Sequence, residues 1–257
     1  MLITERPAHR GPAEAPFADT VAVEEPLEIR VEGEPLAVLL RTPGADLALV
    51  AGFLRSEGIV EDREDLSALA PVGTSGNVVE ARLASGVAAH RDAIERATRQ
   101  LFATSSCGLC GKQSIDRIHT GSPPLDPQPP LDPEWVLALP ARLASYQPGF
   151  DQTGGLHAAL LLLRDGTVLA AAEDIGRHNA VDKVIGQALL DGRDADPQRV
   201  LVVSSRAGFE IVQKALADRI GVVVAVGAAS QLAIDLARES GLALYAFVRP
   251  GRYNRYA

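Results

Sequence analysis

The sequence predicts an α/β protein: a larger C-terminal domain built on a mostly parallel sheet, preceded by a smaller β-rich α+β lobe. Three observations predict it. Strand-like and helix-like segments alternate from residue 134 to the end of the chain. Before residue 120 the apolar runs are short and mostly β-like. Between the two lies GSPPLDPQPPLDP, Gly121 to Pro133, with six prolines in thirteen residues. That density of proline removes donors and fixes φ, which forbids regular structure and makes a stiff linker or a long surface loop.

The first sixteen residues, MLITERPAHRGPAEAP, mix charges and prolines and are expected to form a disordered arm. Residues 17–120 then form the first lobe. Thr20 to Glu24, Leu27 to Val31 and Leu36 to Arg41 read as strands separated by glycine and proline turns. Ala45 to Ser56 reads as a helix, with Asp46 at its start and Gly58 as its stop. Asn77 to Leu83 alternates as a strand, and residues 89–101 place Ile94, Ala97 and Leu101 on one helical face. In the second domain, Trp135 to Tyr146 reads as a helix. Leu156 to Leu163 and Thr167 to Glu173 read as a hairpin. The remaining order is helix 179–190, strand 200–204, helix 208–217, strand 222–226, helix 230–239 and strand 243–248. Such alternation implies parallel strands with helices on both faces.

Composition narrows the function. The chain has 257 residues, 47% of them hydrophobic, and a formal net charge of −8. A sizeable core is affordable, while bulk binding to nucleic acid or anionic membrane is disfavoured, because both need a basic surface. The longest apolar run, Leu156 to Leu163 with His157 inside it, is far short of a membrane span. With no leader-like apolar stretch at the start, a cytoplasmic protein is expected.

The only two cysteines are Cys107 and Cys110, in TSSCGLCGK. An isolated pair at this spacing fits a nucleophile with a helper, a redox pair, or half of a zinc site. Structural zinc would need both remaining ligands from histidine or carboxylate, and a thioredoxin-like motif would follow a strand of a βαβ unit; an inert pair is the remaining reading. A helix opening at Lys112, and the Lys112 ammonium itself, would favour thiolate, the form that attacks a sulfane sulfur. Lysine is scarce: Lys112, Lys183 and Lys214 stand against 22 arginines. Each lies in or beside a motif, as expected where a compact ammonium suits better than a planar guanidinium.

Four further segments carry polar groups in places where α/β sheets bind ligands. TGGLHAA, Thr153 to Ala159, sets two glycines before a strand. EDIGRHNAVDKVIG, Glu173 to Gly186, runs from a strand end through Asp174, Gly176, Arg177, His178 and Asn179 into a helix bearing Asp182 and Lys183. SSRAGFEIVQKA, Ser204 to Ala215, repeats that design, with Ser204, Ser205 and Arg206 as candidate phosphate ligands. FVRPGRYNRYA, Phe247 to Ala257, carries three arginines and no acid. A positive end on an acidic chain points to an anionic ligand.

SSCGLCGK, TGGLHAA, EDIGRHNAVDKVIG and SRAGFEIVQKA stand in the order and wording of the formate dehydrogenase accessory sulfurtransferase family (FdhD), and RTPGADLALVAGFLRSEGIV, Arg41 to Val60, is similar too. The resemblance runs from about Val21 to Tyr256. It implies a cytidine-deaminase-like three-layer domain at residues 134–257. It implies an enzyme that accepts sulfur as a persulfide from a cysteine desulfurase and delivers it to the molybdenum bis(molybdopterin guanine dinucleotide) cofactor, a bound substrate, for formate dehydrogenase. Catalysis would then rest on Cys107 and Cys110, with no permanent metal. The cofactor would be held by Phe247, Val248, Arg249, Pro250, Gly251, Arg252, Ser204, Arg206, His178, Asn179 and Lys183. A non-catalytic cofactor carrier is the alternative, and the family suggests a homodimer. The chain departs from the family at GAASQLA, Gly227 to Ala233, and at Ala246, where glycine is usual. Deamination is disfavoured: His157 is followed by Ala158 and Ala159 with no catalytic glutamate, and no cysteine pair lies downstream.

Overall fold

The computed structural model describes residues 2–11, 14–102 and 124–257. Its strands fall into three sheets. The first is a two-stranded antiparallel hairpin of β1 (Ile3–Arg10) and β2 (Ala15–Ala22). The segment expected to be a disordered arm therefore pairs with the chain that follows it. Its prolines fit because a two-stranded ribbon has two free edges, where a missing N–H costs nothing.

The first lobe is a four-stranded sheet in the order β4-β3-β6-β5, formed by β3 (Glu25–Val31), β4 (Glu34–Arg41), β5 (Leu66–Pro71) and β6 (Val78–Leu83). Period-two patterning decides its faces: Leu27, Ile29 and Val31 are buried, while Pro26, Glu28 and Arg30 point away. Helices α1 (Asp46–Ser56) and α2 (Gly86–Phe102) pack on the apolar face. Every residue from Ala48 to Leu54 is buried, because α1 is covered on a second side by a helix of the other domain.

The second domain is a six-stranded sheet in the order β12-β11-β10-β9-β7-β8, comprising β7 (His157–Leu163), β8 (Val168–Asp174), β9 (Arg199–Val203), β10 (Val222–Ala225), β11 (Ala243–Arg249) and β12 (Arg252–Arg255). Only β9, β10 and β11 pair in parallel; both hairpins and the β7–β9 pair are antiparallel. The expected mostly parallel sheet is thus mixed. The physical reason is that tight hairpins can join only antiparallel strands. Helices α5 (Arg177–Leu190), α6 (Phe209–Ala217) and α7 (Gln231–Ser240) cover one face, and α3 (Pro133–Ala144) covers the other. This is a three-layer arrangement, which is why β9 is buried along its whole length. A short helix, α4 (Pro148–Thr153), leads into β7.

The described part of the proline-rich stretch packs on this domain. The Leu125 amide donates to the Ser240 carbonyl at 2.8 Å, and the Leu131 amide donates to the Tyr245 hydroxyl at 3.0 Å. The lobes meet where α1 crosses α5. A Cβ placed on Gly52 would lie 1.8 Å from the Asp182 carbonyl oxygen, and one on Gly186 would lie 1.9 Å from that of Ala48. Two glycines facing each other let the backbones touch.

Candidate functional site

Strand direction gathers the motifs. Parallel strands β9, β10 and β11 end at one edge of the sheet. Strand β7 runs antiparallel to β9 and begins at that edge; β8, antiparallel to β7, ends there. His157, the turn Ile175–His178, the Ser204–Gly208 turn, the Gly227–Ser230 turn and Phe247–Arg252 therefore share one rim. Helices α5, α6 and α7 all start there. The caps of α5 and α6, Gly176 and Gly208, provide no side-chain hydrogen bond, so first-turn N–H groups face the rim without a capping side chain. Such termini favour anions.

The rim is laced by backbone bonds. Gly227 N donates to Ser205 O at 3.1 Å, Phe247 N to Gly227 O at 2.8 Å, and Ala207 N to Ala228 O at 2.9 Å. A Cβ on Gly227 would lie 2.8 Å from Ser205 O, so the turns after β9 and β10 approach closely only with glycine there. Ser204 Oγ accepts from Ala158 N at 2.9 Å, and Ser205 Oγ donates to Arg206 O at 3.0 Å. Phe247 has φ of 53°, an unfavourable conformation for a bulky residue, inside a register shift between Ala246 and Arg249. The kink carries Arg249, Pro250, Gly251 and Arg252 out to solvent while Val248 stays in the core. Among the described residues no carboxylate pairs with Arg206, Arg249 or Arg252.

A family model, the FdhD/NarQ family, matches residues 22–257. The chain belongs to the FdhD/NarQ family. Relatives named "Sulfur carrier protein FdhD" agree: the one from Streptomyces avermitilis is 48% identical over 249 residues, covering 93% of this chain and 87% of its own. The one from Anaeromyxobacter dehalogenans strain 2CP-1 is 48% identical over 250 residues, with the same coverage of each chain. The crystal structure of a candidate formate dehydrogenase accessory protein from Desulfotalea psychrophila superposes with a TM-score of 0.73 at 22% identity, over 99% of this chain and 95% of that one. It shares the fold.

Within this FdhD/NarQ fold the polar residues of EDIGRHNAVDK divide into two sets. One set binds the lobes together. The Asp174 carboxylate, fully buried, accepts from Thr42 N at 3.1 Å, Lys183 Nζ at 2.7 Å, Gly176 N at 2.8 Å and Asn179 Nδ2 at 2.9 Å. Lys183 also donates to Thr42 O at 2.8 Å and Glu173 O at 3.3 Å, and Asn179 Nδ2 also donates to Leu40 O at 2.8 Å. An ammonium has three donors and an amide NH₂ has two, so both are fully engaged inside the protein. Nearby, Lys214 sits 2.8 Å from both Asp182 oxygens, and Ser56 Oγ donates to Asp182 at 2.7 Å. Burial pulls the Lys214 ammonium down, but Asp182 and Glu57 outweigh it and hold it above its usual value. Two of the three lysines thus sit in tight cages that suit a compact ammonium.

The other set faces the rim. His178 Nε2 lies 2.7 Å from Glu210 Oε2, joining the first turns of α5 and α6. Burial pushes the Glu210 carboxyl up, yet the His178 bond and charge, with Lys214 and Arg177, bring it below the usual carboxylate range. Burial lowers the His157 imidazole, and Arg177 and His178 lower it further. The sequence does not single out Thr42 or Glu210, and it shows Asp174 and Asp182 only as polar members of the motif; the acid–lysine pairing inside that motif was the available signal for their role. Cys107, Cys110 and Lys112 lie outside the described residues. Among the described residues, no cluster of three or more His, Cys, Asp or Glu is arranged to hold a metal ion, and no helix is long and apolar enough to cross a membrane.

Proposed function

We propose that this chain is a sulfur carrier for formate dehydrogenase maturation, taking sulfur onto Cys107 and delivering it to a molybdenum bis(molybdopterin guanine dinucleotide) substrate held along the sheet rim. Support for sulfur transfer comes from family membership, the names of relatives nearly half identical to it, and the Cys107–Cys110 pair. In the accepting step the Cys107 thiolate attacks the terminal sulfur of a persulfide on a cysteine desulfurase. The donor's S–S bond breaks, its thiolate leaves, and Cys107 carries a persulfide with no external oxidant. Cys110 assists. The carrier works in the cytoplasm as a homodimer.

The observation that supports a nucleotide at the rim is the meeting of the α5 and α6 N-termini, whose glycine caps offer no side chain, with exposed Arg206, Arg249 and Arg252, which pair with no carboxylate among the described residues, in a chain of net charge −8. Phosphates gain from both the helix ends and bidentate guanidinium contacts. From β8 to β11 the rim spans four strand spacings, about 19 Å, room for an extended nucleotide. On this reading Ser204, Arg206, His178 and the Phe247–Arg252 turn meet the ligand, while Asn179 and Lys183 position the turn that presents His178.

Mass spectrometry after incubation with a desulfurase and cysteine tests the sulfur half: a gain of one sulfur atom on Cys107 is expected. Unmodified Cys107 in protein that still binds guanosine diphosphate would favour the non-catalytic carrier instead.

A further inference from the structure

We infer that the His178–Glu210 pair sets the pH response of nucleotide binding at the rim: protonated His178 cancels the Glu210 charge and admits phosphate, and neutral His178 leaves Glu210 to repel it. The inference rests on the nucleotide reading above.

Glu210 is the second residue of α6, two places after Gly208, whose N-cap position offers no side-chain hydrogen bond. A carboxylate in the first turn takes the place in the helix field that an incoming phosphate would use. On its own helix Lys214 offsets that charge only in part, because its ammonium is hydrogen-bonded to both oxygens of Asp182. What faces Glu210 directly is His178, at 2.7 Å, with its side chain 31% exposed. With Nε2 pointing at Glu210, Nδ1 carries a proton only in the imidazolium form. The pair is then neutral overall, with a free N–H donor, in acid, and singly negative in base. The remaining charged groups facing it are Arg177 on α5 and His157 on β7. Arg177 keeps its charge throughout. His157 is driven toward the neutral form by the same surroundings and contributes little across neutral pH.

Calorimetric titration with guanosine diphosphate from about pH 5.5 to about pH 8.5 tests this. The nucleotide's own terminal phosphate titrates in this range, so each variant is read as a ratio to wild type. Wild type should weaken with rising pH by about tenfold more than His178→Gln, the effect of one partly screened charge near the phosphate. Glu210→Gln should bind more tightly than wild type at the alkaline end, by a similar factor. Thermal melts check that both variants are folded. Equal slopes for wild type and His178→Gln, or no gain in Glu210→Gln, would overturn the inference while leaving the nucleotide site standing. Absence of nucleotide binding to wild type at every pH would instead overturn the nucleotide reading, and the inference with it.

Discussion

Replacing Gly52 with alanine sets two known effects against each other. In an isolated helix the change stabilises by about 1 kcal/mol, because glycine loses more backbone entropy than alanine. Here the new Cβ would sit 1.8 Å from the Asp182 carbonyl oxygen and 2.6 Å from its carbon. An ordinary carbon–oxygen approach is about 3.4 Å, so α1 and α5 must part by roughly 1.5 Å. Gaps of even about 1 Å forfeit up to half of each dispersion contact, along the most extensive helix–helix interface of the described structure. The same shift stretches the Ser56–Asp182 and Lys183–Thr42 bonds, now 2.7 and 2.8 Å. Overpacking of about 1–3 kcal/mol and a weakened buried bond of about 1–3 kcal/mol together exceed the propensity gain. A net loss of about 3 kcal/mol should lower the melting temperature by about 6–12 °C. Gly192→Ala is the control: φ is 64° and nothing lies within 4 Å, so only the left-handed backbone cost of about 1–2 kcal/mol applies. Circular-dichroism melts decide it. A Gly52→Ala protein as stable as wild type would refute the close-crossing argument.

Lys183→Met should destabilise by about 3–5 kcal/mol in denaturant titrations, because Asp174 loses its cation and the Thr42 and Glu173 carbonyls lose a donor; adding Asp174→Asn should recover part of that loss. Arg249→Ala with Arg252→Ala should weaken guanosine diphosphate by about tenfold or more and flatten its salt dependence without moving the melt, since both side chains are exposed. Unchanged calorimetric affinity would mean the ligand lies elsewhere. Cys107→Ala should abolish sulfur delivery, and normal formate dehydrogenase maturation in cells carrying only that variant would discard the assignment. His157 titrates below its usual value of about 6.5 in the fold. As pH falls through that value the unfolded chain binds the proton first, so stability drops with acid. His157→Gln should therefore lose less stability between about pH 7 and pH 5, and identical acid profiles would count against a half-buried imidazole held toward its neutral form.

Local pattern carries an element when its side chains see one environment along its length. The unbroken apolar run of β9, the alternation of β3 and the periodic face of α3 are of this kind, and each is read nearly to its ends. The missed elements lack such a signal. β5 ends in proline, β12 has only four residues, and β1 with the first half of β2 is rich in charge and proline; only the end of β2, from Thr20, reads as a strand. Strand direction is not local either: the sheet is mixed because β7 and β8 form a hairpin beside β9, which no residue of β9 records.

The sequence by itself determined the family, the α/β alternation, the two thiols and the set of motifs in which polar groups gather. Only the tertiary structure decided which of those polar groups face the open rim and which hold the protein together. In EDIGRHNAVDK, Asp174, Asn179 and Lys183 turn inward and His178 turns to the rim, though all four read alike as polar residues near a helix start. The reason is the cost of burying charge: a lysine in the interior must find every one of its partners there, and for Lys183 one partner is the carbonyl of Thr42, 141 residues away along the chain.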